Sequence, residues 1–145
     1  MKSFFYVGWV LATLSVFLHF ESLAEPKQVV ISKTDEHTDL LKQFVWQVTE
    51  KNTQLSDVQN LPNWQADYSP NLINKDQSLW GKVSIVFDKP DEEDYFLTIG
   101  NPQLDYVSVF LLDEKDRILG SYLMGGNRDY SKRPIRHRLF IAPLN

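Results

Sequence analysis

Apolar and polar positions alternate with a period of two along much of the chain. No window within 25–145 sustains the 3.6-residue period of an amphipathic helix. Gly81, Val83, Ile85 and Phe87 fall on one side of a segment; Trp80, Lys82, Ser84 and Val86 fall on the other. That alternation predicts one half-buried strand. Residues 95–99 form the next β-favouring run. In 104–112 both faces are apolar, with Leu104, Tyr106, Phe110 and Leu112 opposite Val107, Val109 and Leu111. A strand apolar on both faces is expected at the centre of a sandwich. Residues 117–124 supply a return strand. Residues 136–141 predict a last one, with Leu139 and Ile141 opposite Arg138 and Phe140.

The breaks between these segments are polar. Residues 88–94 form an acidic loop containing proline, Gly100-Asn101-Pro102 interrupts the chain, and 113–116 suit a hairpin link. Gly125-Gly126-Asn127 is a further turn, where glycine permits positive φ. The N-terminal half is less regular. Residues 29–31 predict a short first strand. Residues 40–48 fit a helix through Leu40, Leu41, Phe44, Val45 and Val48, or a strand through Phe44, Trp46 and Val48. The β-favouring residues Val45, Trp46, Val48 and Thr49 tip the reading to strand. Ser56 is placed to cap a single helical turn over 57–60, and 60–78 read as a long irregular loop. Short strands separated by polar turns predict an all-β fold, an antiparallel jelly-roll or β-sandwich.

The first 24 residues have a different character. Lys2 is the sole charge before Glu21, 4–20 are nearly all apolar, and small residues stand at Ser22 and Ala24. This is the pattern of a secretory signal peptide cleaved after Ala24. The apolar run is shorter than the ~20 residues of a spanning helix and contains His19, which argues against an uncleaved anchor. The expected organisation is therefore a signal peptide, 1–24, and one exported β-sandwich domain, 25–145. The chain has no cysteine, so the exported domain depends on packing rather than disulfides. A formal charge of −4 argues against a nucleic-acid partner, which needs a surplus of Lys and Arg.

Charge is unevenly spread. Residues 25–127 carry nine Lys and Arg against seventeen acids, whereas 128–145 carry five against Asp129 alone. The plain reading of Arg128, Lys132, Arg133, Arg136 and Arg138 is a basic segment set against an acidic body. The functional reading is a site for an anion, gripped by guanidinium forks. Aromatic side chains at Trp64, Tyr68, Tyr106 and Tyr122 would suit stacking on a sugar, although each is also a reasonable core or rim residue. Tyr106 in particular shares its predicted face with Leu104 and Phe110. The candidate ligand-binding residues are Trp64, Tyr106, Tyr122, Arg133 and Arg136. No catalytic motif, metal-ligand cluster or cofactor motif is legible. The acidic run Asp91 to Asp94 reads as a solvated loop rather than a calcium site.

Several short motifs recur in a fixed order: Trp80-Gly81-Lys82-Val83, the acidic loop, Tyr95-Phe96-Leu97-Thr98-Ile99, Asn101-Pro102-Gln103-Leu104-Asp105, Val107-Ser108-Val109-Phe110 and Ser131-Lys132-Arg133-Pro134. Together with Leu55-Ser56-Asp57-Val58 upstream, this order resembles the β-rich periplasmic sensory domain of bacterial seven-transmembrane receptors with diverse intracellular signalling modules. The resemblance covers most of 27–142. It implies a jelly roll similar to carbohydrate-binding modules, placed ahead of seven membrane helices and a diguanylate cyclase, histidine kinase or other output. It carries over no binding residue; Asp105 and Arg133 match motif positions and are expected to fix turns. A family jelly roll would continue beyond Leu144, so a truncated or stand-alone domain is expected, with membrane contact only through absent helices or an uncleaved signal segment.

Three functions compete. The first is a ligand-sensing module of a membrane receptor that does no chemistry itself and binds a small saccharide or carboxylate. The second is a free periplasmic carbohydrate-binding protein. The third is a small exported hydrolase, which needs a convergent acid pair and for which only unpatterned candidates such as Asp67 and Asp105 exist.

Overall fold

A computed structural model of the chain describes residues 25–32, 36–66, 74–88 and 94–144. The expected signal segment, most of the acidic loop, Tyr68 and Asp67 lie outside the described residues. The described residues form eight strands: β1 (Gln28–Ile31), β2 (Val45–Glu50), β3 (Gln77–Lys82), β4 (Ser84–Phe87), β5 (Phe96–Ile99), β6 (Val107–Leu112), β7 (Ile118–Met124) and β8 (Phe140–Pro143). One short helix, α1 (Leu55–Gln59), separates β2 from β3. The chain is all-β, as its period-two pattern predicts. The strands pair as β1 with β4, β2 with β3, β5 with β8 and β6 with β7. They fall into two compact units: Met1–Ile31 with His37–Val86, and Ser32–Glu36 with Phe87–Asn145.

In the first unit β2 and β3 run antiparallel from Val45 opposite Lys82 to Glu50 opposite Gln77. The strand reading of 40–48 holds for its second part, while Leu41–Gln43 form a 3-10 turn that feeds the strand. Gly81 stands opposite Trp46 in the ladder. A Cβ there would lie 2.7 Å from Trp46 Cζ3 and 2.8 Å from Phe44 Cδ1, so only glycine lets these rings close over the strand. The two rings stack at 5.1 Å. Trp80 Nε1 donates to Thr49 Oγ1 at 3.1 Å across the ladder. Among the described residues of this unit, Val45 and Val58 are buried.

Two expectations change here. The segment predicted as one strand over 80–87 is divided at Val83: its first part pairs with β2 and its second with β1. Alternation passes through the break unaltered, which is why periodicity did not reveal it. Ser56 does not cap α1. Gln54 occupies the cap position with no side-chain hydrogen bond, and the Ser56 carbonyl accepts from Asn60 Nδ2 at 2.9 Å.

The second unit is built on two antiparallel pairs. In the β6–β7 hairpin Val107 faces Met124 and Val109 faces Tyr122, and the register shifts between Leu111 and Leu112. The turn is closed by Asp113, whose Oδ1 accepts from the backbone N–H of Lys115 and Arg117 at 2.9 Å each. Arg117 Nε completes the closure with a bond to Asp113 Oδ2 at 2.6 Å. Val107, Met124, Phe140 and Ala142 form the core, with Leu97, Ile99, Val109 and Tyr122 packed against it. Phe140 and Met124 are completely shielded from solvent, so two large apolar side chains anchor this unit.

The structure also redraws the strand limits of this unit. Residues 104–106 lie outside β6, and Tyr106, 60% exposed, shares no buried face with Leu104, which is exposed as well. Among the described strands β6 pairs with β7 alone, so it is not central. The last strand begins at Phe140, not at Arg136. Residues 137–139 are bends, with a hydrogen bond from Leu139 N to His137 Nδ1 at 3.1 Å.

Candidate functional site

The turn after β7 creates the site. Gly125 has φ +131°, in the region that favours glycine, and a Cβ there would collide with the Asp105 carbonyl and the Tyr106 backbone. The close approach is locked by main-chain bonds from Gly126 N to Leu104 O at 2.8 Å and from Asn127 N to Asp105 O at 3.1 Å. Residues 125–127 thus sit directly on 104–106. The Arg128 guanidinium lies over the Tyr106 ring, 5.5 Å from its centroid. The exposed aromatic and the first cation of the basic segment thereby become one surface feature.

Arg133 supports this arrangement from behind. Its Nη2 donates to the Gly125 carbonyl at 3.2 Å and its Nη1 to the His137 carbonyl at 2.9 Å. Its guanidinium carbon lies 4.8 Å from the ring centroids of both Tyr130 and Phe140. A planar, delocalised cation with a fork of donors suits such a position, between two rings and two carbonyls. Arg133 joins the turn after β7 to the approach of β8 through these two carbonyls.

Beside this strut an open groove of about 590 Å³ is lined by Ser121, Tyr122 and Leu123 of β7 and by Asn127, Arg128, Asp129, Lys132 and Pro134. Asp129 caps the 3-10 turn Tyr130–Lys132. Its Oδ1 accepts from Ser131 Oγ at 2.8 Å and from Ser131 N at 2.9 Å. These bonds, the side-chain one foremost, hold the Asp129 carboxyl below its ordinary range, with the nearby Lys132 charge adding to the effect. The groove therefore presents two cations, one ionised carboxylate, an amide, a hydroxyl and an aromatic ring.

Of the five candidate residues, Tyr122 lines the groove and Tyr106 adjoins it through Arg128. Arg133 stands behind it with its terminal donors engaged by carbonyls. Arg136 is exposed ahead of the bends that precede β8. Trp64 belongs to the first unit, where its Nε1 donates to the Leu61 carbonyl at 3.1 Å. The adjoining Gln65 is bonded in both directions to the Trp46 backbone, at 2.8 and 2.9 Å.

Asn127 and Asp129 were not singled out by sequence. The Asp-x-Ser step at 129–131 was the available signal, since this spacing favours a side-chain turn bond. Among the described residues no group of three or more His, Asp or Glu side chains is placed to hold a metal ion. Among them, too, no helix is long and apolar enough to cross a membrane.

A family model described as 7TMR-DISM extracellular 2 matches residues 42–145. No curated protein and no solved structure shows significant similarity to the chain.

Proposed function

The chain belongs to the 7TMR-DISM extracellular 2 family, and from that premise we propose that it senses a small ligand for a bacterial membrane signalling receptor, such as a membrane-bound diguanylate cyclase or sensor histidine kinase. Membership makes it an extracellular, periplasmic sensory domain of a membrane receptor. The proposal adds the ligand, the output module and the jelly-roll arrangement of the strands. The domain does no chemistry itself. Its ligand, a saccharide or carboxylate, binds in the groove beside β7 and biases the receptor between two states. Such a bias requires tighter binding to one state than to the other.

The family match over 42–145 is the observation that carries this reading. The groove supports the placement of the ligand, because aromatic, cationic and neutral polar groups line one concave surface. The reading is tested by the genomic sequence downstream of codon 145. Seven apolar segments of about 20 residues each, followed by a cyclase or kinase module, are expected. A continuation with no membrane segment overturns the receptor reading and favours the free carbohydrate-binding protein.

A further inference from the structure

We propose that the groove beside β7 takes a sugar acid, a pyranose ring that carries one carboxylate. This rests on the placement of the ligand in that groove and narrows its chemistry.

The lining has two chemical characters. Tyr122, Leu123 and Pro134 supply apolar surface, which a simple inorganic anion would not use but the C–H face of a sugar ring would. Arg128 and Lys132 supply two positive charges against the single negative charge of Asp129, so the lining carries a net positive charge. A neutral sugar would leave that surplus unanswered, whereas one carboxylate balances it. Arg128 is oriented for this role by the Tyr106 ring on which its guanidinium rests.

Asp129 argues for hydroxyls on the same ligand. Both of its bonds from Ser131 fall on Oδ1, which leaves Oδ2 to accept from a donor. With its carboxyl held ionised, Asp129 accepts and does not donate. A ligand hydroxyl satisfies it; a second ligand carboxylate would be repelled. Asn127 and Ser121 add groups that both donate and accept, which suits ring hydroxyls. The volume, about 590 Å³, lies within the range of small-ligand sites.

The test uses the chain recovered from the periplasmic fraction and follows its backbone amides by NMR. Galacturonate, galactose and acetate are each added over the same concentration range. Galacturonate is expected to shift the amides of 121–123 and 127–132 saturably. Galactose and acetate should bind about tenfold more weakly or worse, since each lacks one half of the ligand. Lys132→Gln and Arg128→Gln should each weaken galacturonate about tenfold and leave galactose unchanged.

Galactose binding as tightly as galacturonate overturns the sugar-acid assignment and leaves the groove as the ligand site. Acetate binding as tightly does the same, reducing the groove to a charge site. Shifts confined to residues outside the groove overturn this proposal together with the placement on which it rests. The receptor reading, tested by the genomic continuation, is untouched by any of these results.

Discussion

Gly81 and Gly125 both mark places where two stretches of chain approach too closely for a side chain, and they are packed by different chemistry. Over Gly81 lie the rings of Trp46 and Phe44, so the contact is apolar and its partners are side chains. Against Gly125 lies the main chain of Asp105 and Tyr106, and the glycine's own carbonyl accepts from Arg133. Rings can tilt by a few tenths of an ångström at small cost. A backbone contact in a left-handed conformation, with its carbonyl engaged, has no such freedom. The approach at Gly81 is therefore shaped by side-chain packing, whereas the approach at Gly125 is shaped by a fixed backbone frame. Only the second carries the groove. Residues on a fixed frame can change ligand chemistry without disturbing the fold, which is what a sensory surface requires.

The sharpest challenge to this comparison is Phe140→Ala. Phe140 is wholly buried and also forms one of the two rings that flank Arg133, so its loss should destabilise the second unit by about 3–5 kcal/mol. Hydrogen exchange across β5, β6, β7 and β8 reads this directly, and unchanged protection there would remove Phe140 as the anchor. Arg133→Met should cost about 2–3 kcal/mol, because the carbonyls of Gly125 and His137 lose their donor. Arg133→Lys should rescue little, since a lysine cannot reproduce the fork between two rings. Urea unfolding of the three proteins measures this; full rescue by lysine would show that charge alone is needed.

Gly81→Ala should cost less, about 1–2 kcal/mol, provided the rings of Trp46 and Phe44 move aside. The described tryptophans, Trp46, Trp64 and Trp80, all belong to the first unit, so their fluorescence reports the shift. A cost above that of Arg133→Met would reverse the contrast between the two glycines.

The same contrast explains what the sequence disclosed. Strand content was legible because period-two alternation is local, and Val107 and Val109 indeed face Met124 and Tyr122 across the hairpin. The hairpin link and the turn at Gly125 were legible from Asp113 and the paired glycines. Strand pairing was not, since Val83 interrupts a ladder without interrupting the alternation. Nor was the start of β8. Residues 136–139 alternate like a strand, but 137–139 are bends and the His137 carbonyl accepts from Arg133 rather than from a neighbouring strand. The groove was half legible. Its cations and Tyr122 stood out by type, but their meeting with Asn127 and Asp129 depends on the glycine frame, which composition does not reveal.

The smallest expected effect is the one most specific to the groove. Ser131→Ala removes the hydroxyl that is the foremost cause of the lowered Asp129 titration and keeps the backbone N–H. The Asp129 carboxyl should then titrate at higher pH than in the unaltered chain, followed by carboxyl carbon shifts in NMR. A group whose titration is lowered by folding adds stability above its unfolded pKa, and that stability is lost as pH falls through the folded value. The unaltered chain should therefore lose stability below about pH 4, and Ser131→Ala should lose less over the same range. Asp113 provides the control, because Arg117 rather than a serine holds its titration down, and it should not move. An unmoved Asp129 would mean that the backbone N–H of Ser131 and the Lys132 charge suffice to set its ionisation, and the Ser131 hydroxyl would then have no part in tuning the groove.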